Sequence, residues 1–303
     1  MQSDSDRRPM PGKPVSDRRV NLYVDGYNFY VPLSSLPEDQ FELAWCNFHR
    51  LGEYLVERLA QERPREFGGC RLGAVKYFTA TIPADFPKDH GGARRKQDWL
   101  DALNRVSGGR VEIIHGTFRE RKHRFYIERG ELDELVRSGI PVHLGELGNR
   151  RTFRPRMAIH EEKQTDVMLA CSLLLDSALG REGRLPLAIC QHPPLHLTNP
   201  RPTPAPCHAA IVLSADIDFL PAAEMACQMF ACPVAMAFSF PHQGYDLADL
   251  EAQSISGLTT RRISEEELRT SMLPAEVVLT GGRTITLEHF RKTHFEKVRT
   301  MGD

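Results

Sequence analysis

Apolar and polar positions change period repeatedly along this chain. Val20 to Val24 is a short β-rich run ending in Asp25-Gly26, which signals a strand followed by a turn. From Trp45 to Leu59, the residues Phe48, Leu51, Leu55, Val56 and Leu59 recur at helical spacing and predict a crossover helix. Leu72 to Thr81 reads as a second strand and Val111 to Phe118 as a third. Between them, residues 91–106 carry Trp99, Leu100, Leu103 and Val106 on one helical stripe. Residues 161–175 predict a buried helix, apolar almost all round. Ile211 to Leu213 is a fourth strand, followed by a helix over 217–229 and a fifth strand over 233–238. Strands alternating with helices predict an α/β sandwich around a mainly parallel sheet of about five strands.

Three stretches break this rhythm. Residues 1–18 are polar with three prolines and read as a disordered tail. Residues 119–160 hold two basic clusters, one with Arg119, Arg121 and Lys122, the other with Arg150, Arg151 and Arg154. Residues 180–208 contain seven prolines and read as a long irregular insertion. Cys190, His192, His196, Cys207 and His208 within it match no compact zinc-ligand spacing. The expected organisation is one domain over 19–250, interrupted by that insertion, and a C-terminal extension over 251–303 with short helices or loops at 264–269 and 287–298.

Candidate chemistry gathers at the strand ends, because ligand sites in open α/β sheets form beyond the carboxyl ends of the strands. Asp25 ends the first strand, with Asn28 just after it. The fourth strand runs into Ser214, Asp216 and Asp218, two acids spaced i, i+2. Helix capping accounts for Asp218, with Pro221 tolerated in the first turn, and leaves Asp216 unexplained. Asp166 shares a helical stripe with Leu169, Ala170 and Leu173, where a carboxylate is costly unless paired, metal-bound or opening into a cleft. Carboxylates converging from three segments repel one another and call for a cation. All-oxygen ligation suits Mg²⁺ or Mn²⁺, and such ions support water attack on a phosphodiester. The basic clusters would suit phosphate contacts if they share that face, with a solvated loop as the alternative.

Composition narrows the setting. Lys+Arg 39 against Asp+Glu 40 gives a net charge of -1, so no global basicity advertises nucleic acid. Seven cysteines, an odd number without a C-x-x-C pair, fit reduced thiols and hence a cytoplasmic protein. The N-terminus has no apolar targeting segment, and no stretch approaches the ~20 apolar residues of a membrane span.

Four segments in order, VDGYNFY (24–30), VKYFTA (75–80), EEKQTDVMLA (161–170) and VLSADIDFLPA (212–222), closely resemble the NYN domain family of PIN-like nucleases. LRTSMLPAEV (268–277) is similar to the tail that follows this domain in bacterial members. The resemblance implies a PIN-like Rossmannoid three-layer sandwich, with the first and fourth strands adjacent and Asp25 beside Asp216. It implies Asp25, Asp166 and Asp216 as metal-binding acids, with Asp218 as a further ligand, directly or through water. Asn28 and Ser214 would orient water or phosphate, and Glu162 is a weaker candidate. Two departures stand out: Ala215 replaces the glycine usual between the serine and first aspartate of the last motif, and the proline-rich insertion is long.

The resulting expectation is a Mg²⁺- or Mn²⁺-dependent ribonuclease with RNA as its partner. DNA is left open, because no element that reads a 2′-hydroxyl is identifiable. A homo-oligomer is compatible with the sequence. The alternatives are a catalytically weak RNA-binding or regulatory module, motivated by Ala215 and the insertion, and a phosphatase working through an aspartyl-phosphate.

Overall fold

Strand β1 (Arg19–Asp25) is buried along six of its seven residues. Val20, Leu22 and Val24 join one apolar layer and Tyr23 joins the other, so β1 is a central strand covered on both faces. The computed structural model describes residues 18–80, 92–124, 127–128, 137, 152–153, 156–182, 202–241 and 255–292.

The chain continues through α1 (Gly26–Ser34), the four-residue helix α2 (Glu38–Phe41), α3 (Phe48–Glu62) and a second four-residue helix, α4 (Pro64–Phe67). Strand β2 (Arg71–Ala80), helix α5 (Gly92–Ser107) and strand β3 (Val111–Arg124) follow. The short β4 (Ile127–Glu128) and β5 (Thr152–Phe153) pair with each other, and β6 (Arg156–Lys163) leads into α6 (Thr165–Glu182). Then come β7 (Ala209–Leu213), a 3-10 turn (Ile217–Phe219), α7 (Leu220–Phe230), β8 (Val234–Ser239) and β9 (Leu258–Ile263). Helix α8 (Glu265–Thr270) and the antiparallel pair β10 (Glu276–Val278) and β11 (Thr284–Thr286) follow, and residues 287–292 are again helical, where a short helix or loop over 287–298 was expected.

The main sheet has seven strands in the order β6-β3-β2-β1-β7-β8-β9. All neighbours are parallel except β6, which runs antiparallel to β3. Strands are added outward from β1 in both directions, so the junction of β1 and β7 is the topological switch point where such folds place ligands. Val24 pairs with Leu213 there, which sets Asp25 and Ser214 side by side. Side chains of α1, α3 and α5 cover one face of the sheet, with Phe48, Leu51, Leu55, Trp99 and Leu103 in its core. Leu169 and Leu173 of α6 and Ala222, Ala223 and Ala226 of α7 cover the other.

The sheet is wider than the five strands expected. Residues 161–163, read as the start of a helix, belong to β6, which pairs with the extension of β3 from Thr117↔Lys163 to Arg124↔Arg156. Ladder bonds to a neighbouring strand override the local helical pattern. Gln164, at φ 78°, then turns the chain into α6. Strand β9 adds the other edge of the sheet from within residues 251–303. Its half-exposed LTTRRI pattern has too thin an apolar face to announce itself.

The segment after β9 closes over the α1–α3 side. Leu268, Leu273, Val277, Ile285 and Phe290 enter that core, and Phe290 stacks on Phe41 at 5.3 Å. The Trp45 indole N–H donates to the Pro274 carbonyl at 2.9 Å, and Arg261 bridges Glu62 and Glu267. Among the described residues, no helix is long and apolar enough to cross a membrane.

Candidate active site at the carboxyl edge of the sheet

Asp25 is both the last residue of β1 and the N-cap of α1. Its Oδ1 accepts the backbone N–H groups of Tyr27 and Asn28, each at 3.1 Å. Its Oδ2 accepts the Asn28 side-chain amide at 2.5 Å and the Ser214 hydroxyl at 2.9 Å. A carboxylate offers about four acceptor positions. All four are filled, and the group is only 4% exposed. Gly26 lets the helix begin this abruptly, since a Cβ there would stand 2.5 Å from the Tyr77 hydroxyl and 2.7 Å from the Phe78 carbonyl oxygen.

The network continues into the next strand's loop. Ser214 Oγ also accepts the Asp216 N–H at 3.1 Å, and Asp216 Oδ1 accepts the Asp218 N–H at 2.9 Å, capping the 3-10 turn. Asp25, Asn28, Ser214, Asp216 and Asp218 are therefore brought together as one hydrogen-bonded ridge. Asp25 and Ser214 form its buried base, Asp216 is half-buried and Asp218 exposed. Ala215 has no positive φ, so the backbone does not require glycine there.

Asp166 lies exposed in the first turn of α6. Its exposure departs from the buried stripe that its spacing predicts, although Leu169 and Leu173 on that stripe are buried. Thr165, Leu169, Ser172, Leu173 and Asp176 take the buried positions. Arg119, Arg121 and Lys122 lie on the β3 extension, with Glu162 on β6 opposite Phe118. Arg150, Arg151 and Arg154 lie outside the described residues, as do Cys190, His192 and His196. Among the described residues, no group of three His, Cys, Asp or Glu side chains lies close enough to hold a metal ion, so the four aspartates are not gathered into a ready cage.

Apolar side chains stand exposed beside the acids. Tyr27, Val167 and Ile217, each next to or within two residues of one of the aspartates, are 58%, 66% and 46% exposed. Across α1, the Arg95 guanidinium reaches the Tyr30 hydroxyl at 3.4 Å. Arg94 and Arg95 line a cavity of about 530 Å³ with Asp98, Arg283 and His289.

A second polar cluster, absent from the sequence expectations, lies inside the molecule between the sheet and α6. Lys76 Nζ meets Asp176 Oδ2 at 2.6 Å with both side chains essentially inaccessible. The Tyr23 hydroxyl donates to the same oxygen at 2.8 Å, and the Ala205 N–H donates to Oδ1 at 2.8 Å. Burial pushes the Asp176 carboxyl up despite Lys76 and these donors. Burial, then the charges of Cys207 and Asp176, push the Tyr23 phenol up. The signal for this cluster was present: Lys76 and Asp176 are lone opposite charges in LGAVKYFTA and SLLLDSALG.

No protein-family model matches the chain, and no solved structure matches it. It is similar to a curated protein, the 6-hydroxy-3-succinoylpyridine 3-monooxygenase HspA of Pseudomonas putida strain S16. The two are 26% identical over 181 residues, 58% of this chain and 52% of that protein. The chain thus spans about half the length of the curated relative it matches. This finding corrects the expected activity. The similar protein is an oxidoreductase and not a phosphodiester hydrolase, so the metal-dependent ribonuclease reading is overturned. The physical reason lies in the acids. Asp25 spends its acceptors on a cap and a serine, and the residues taken for a cage are arranged as a capped ridge.

Proposed function

We propose that this chain is an oxidoreductase of the monooxygenase type, acting on a small hydroxylated aromatic ring at the carboxyl edge of the β1–β7 junction. The similarity to the 6-hydroxy-3-succinoylpyridine 3-monooxygenase carries this reading. The site chemistry agrees with it. A ring hydroxyl donating to Asp216 or Asp218 raises the electron density of the ring, which favours attack by an electrophilic oxygen. Tyr27, Val167 and Ile217 supply apolar surface for the ring faces. Asp25, Asn28 and Ser214 act as the frame that holds the Asp216 loop in place.

In a monooxygenase reaction one oxygen atom of O₂ enters the substrate and the other leaves as water, with two electrons from a reductant. Kinship with the NYN domain family belongs to the same proposal, supported by the acids at the ends of adjoining central strands. So does a divalent cation, for which Asp216 and Asp218 offer the accessible carboxylates.

The test is oxygen uptake by the full chain with 6-hydroxy-3-succinoylpyridine and related hydroxypyridines. Reduced nicotinamide nucleotides serve as electron donors, with flavin or divalent cations added in turn. Substrate-dependent uptake with a hydroxylated product, cut at least tenfold in Asp216→Asn/Asp218→Asn, is expected. No substrate-dependent uptake under any of these conditions refutes the reading.

A further inference from the structure

Cys207 stands two residues before β7 and Cys232 two residues before β8. The two strands are paired neighbours, with Ala210 opposite Val234, so their entry segments meet at the amino edge of the sheet. The two Sγ atoms are 3.8 Å apart, and the residues are 1% and 2% exposed. Both segments are anchored. The Cys207 N–H donates to the Asp176 carbonyl at 3.0 Å and the Cys232 N–H to the Ala226 carbonyl at 3.1 Å. Gly180 presses against the first of them, where a Cβ would stand 1.7 Å from the Cys207 carbonyl oxygen.

Closing a bond of about 2.05 Å asks each sulfur to move by a little under ~1 Å, a side-chain adjustment that leaves these anchors in place. Little holds the thiols apart. The Tyr23 hydroxyl and Ser177 hydroxyl lie 3.6 and 3.7 Å from Cys207 Sγ, yet their shorter bonds go to Asp176 at 2.8 Å and Leu173 O at 2.7 Å. We propose that Cys207 and Cys232 are a redox pair that closes to a disulfide when met by a peroxide oxidant, clasping residues 208–231.

That loop carries Ser214, Asp216 and Asp218, so the clasp closes covalently around the strand and turn that present the β7 acids. The reaction runs in two steps. The Cys207 thiolate takes one oxygen from hydrogen peroxide, giving a sulfenic acid and water once the protons are returned. Cys232 sulfur then attacks Cys207 sulfur; the S–O bond breaks and the departing hydroxide takes the Cys232 proton as a second water. Two thiols and one peroxide give one disulfide and two waters, the sulfur pair losing the two electrons that peroxide gains. The Cys232 thiol hydrogen bond lowers Cys207 and raises Cys232, which makes Cys207 the first sulfur to react.

The experiment treats the folded full chain with hydrogen peroxide, alkylates the remaining thiols and maps peptides by mass spectrometry. A Cys207–Cys232 cross-linked pair, 2 Da below the sum of its reduced peptides and released by dithiothreitol, is expected. The oxidised chain should melt roughly 5–10 °C higher than the reduced one, and Cys232→Ser should lose both the link and the gain. Separate alkylation of both cysteines, over-oxidation without a link, or a link from Cys207 to another cysteine overturns the proposal. If Cys232→Ser does not fold, the peptide map of the unaltered chain decides alone.

Discussion

Removing one partner of the buried Lys76–Asp176 pair should be among the most damaging single changes to this fold. Lys76 lies on a central strand and Asp176 on α6, 2.6 Å apart and shielded from water. Asp176→Leu strands the Lys76 ammonium in the interior and removes the acceptor used by Tyr23 and Ala205. Breaking such a pair costs about 3–5 kcal/mol, a large part of the ~5–15 kcal/mol that holds a typical domain together. With a urea slope near ~3 kcal/mol/M, the unfolding midpoint should fall by about 1–2 M. Lys76→Met should do comparable harm by leaving the carboxylate without its cation.

The double variant Lys76→Met/Asp176→Leu carries no stranded charge. Its remaining cost is the lost acceptor for the Tyr23 hydroxyl and Ala205 N–H, about 1–3 kcal/mol each. It should therefore be no less stable than the worse single variant. The coupling in the resulting cycle should be at least about 2 kcal/mol. Urea titrations followed by circular dichroism measure all four corners. Single variants within about 1 kcal/mol of the parent, or a double variant that loses the full sum, would refute this account of the interior.

Two further outcomes follow from the same geometry. Asp25→Ala removes the α1 cap and leaves the buried Ser214 hydroxyl without its acceptor, a loss of about 2 kcal/mol in urea unfolding, whereas Asp25→Asn keeps the cap acceptor and should lose less. Burial, with Arg110 nearby, lowers His49 despite Glu53, and burial with Lys96 lowers His115, both from an ordinary 6.5. Each folded value is depressed, so the unfolded chain binds more protons below pH 6.5. The stability these neutral rings contribute is full above pH 6.5 and is lost as pH falls through their lowered values. His49→Gln/His115→Gln should flatten that part of the stability profile, and an unchanged slope in denaturant titrations at stepped pH would count against it.

Much of the fold was legible because its causes are local. The strand at Val20–Val24, the helices around Leu51–Leu59 and Trp99–Leu103, and the strand-to-turn passage at Leu213–Asp216 each announce themselves by period and by the residue that ends them. The pairing of β1 with β7, which joins Asp25 to Ser214, agrees with the adjacency expected for the first and fourth strands. The chemistry was less legible. Acids at strand ends suggested a metal-bound nuclease, whereas Asp25 is satisfied by four donors and the similar curated protein is a monooxygenase.

What the sequence by itself determined is the alternation of elements and the placing of polar residues where apolar runs stop. Both depend on neighbours along the chain and on which side chains water rejects. Tertiary structure alone decided which polar groups meet. Lys76 finds Asp176 one hundred residues away, and Cys207 lies against Cys232 because β7 and β8 are neighbours. Asp166 reaches solvent while Asp176, ten residues along the same helix, is sealed in. The helical period puts both acids on faces open to the same reading. Packing against the sheet separates them: the first turn leaves Asp166 at the surface, whereas the later turns bury Leu169, Leu173 and Asp176.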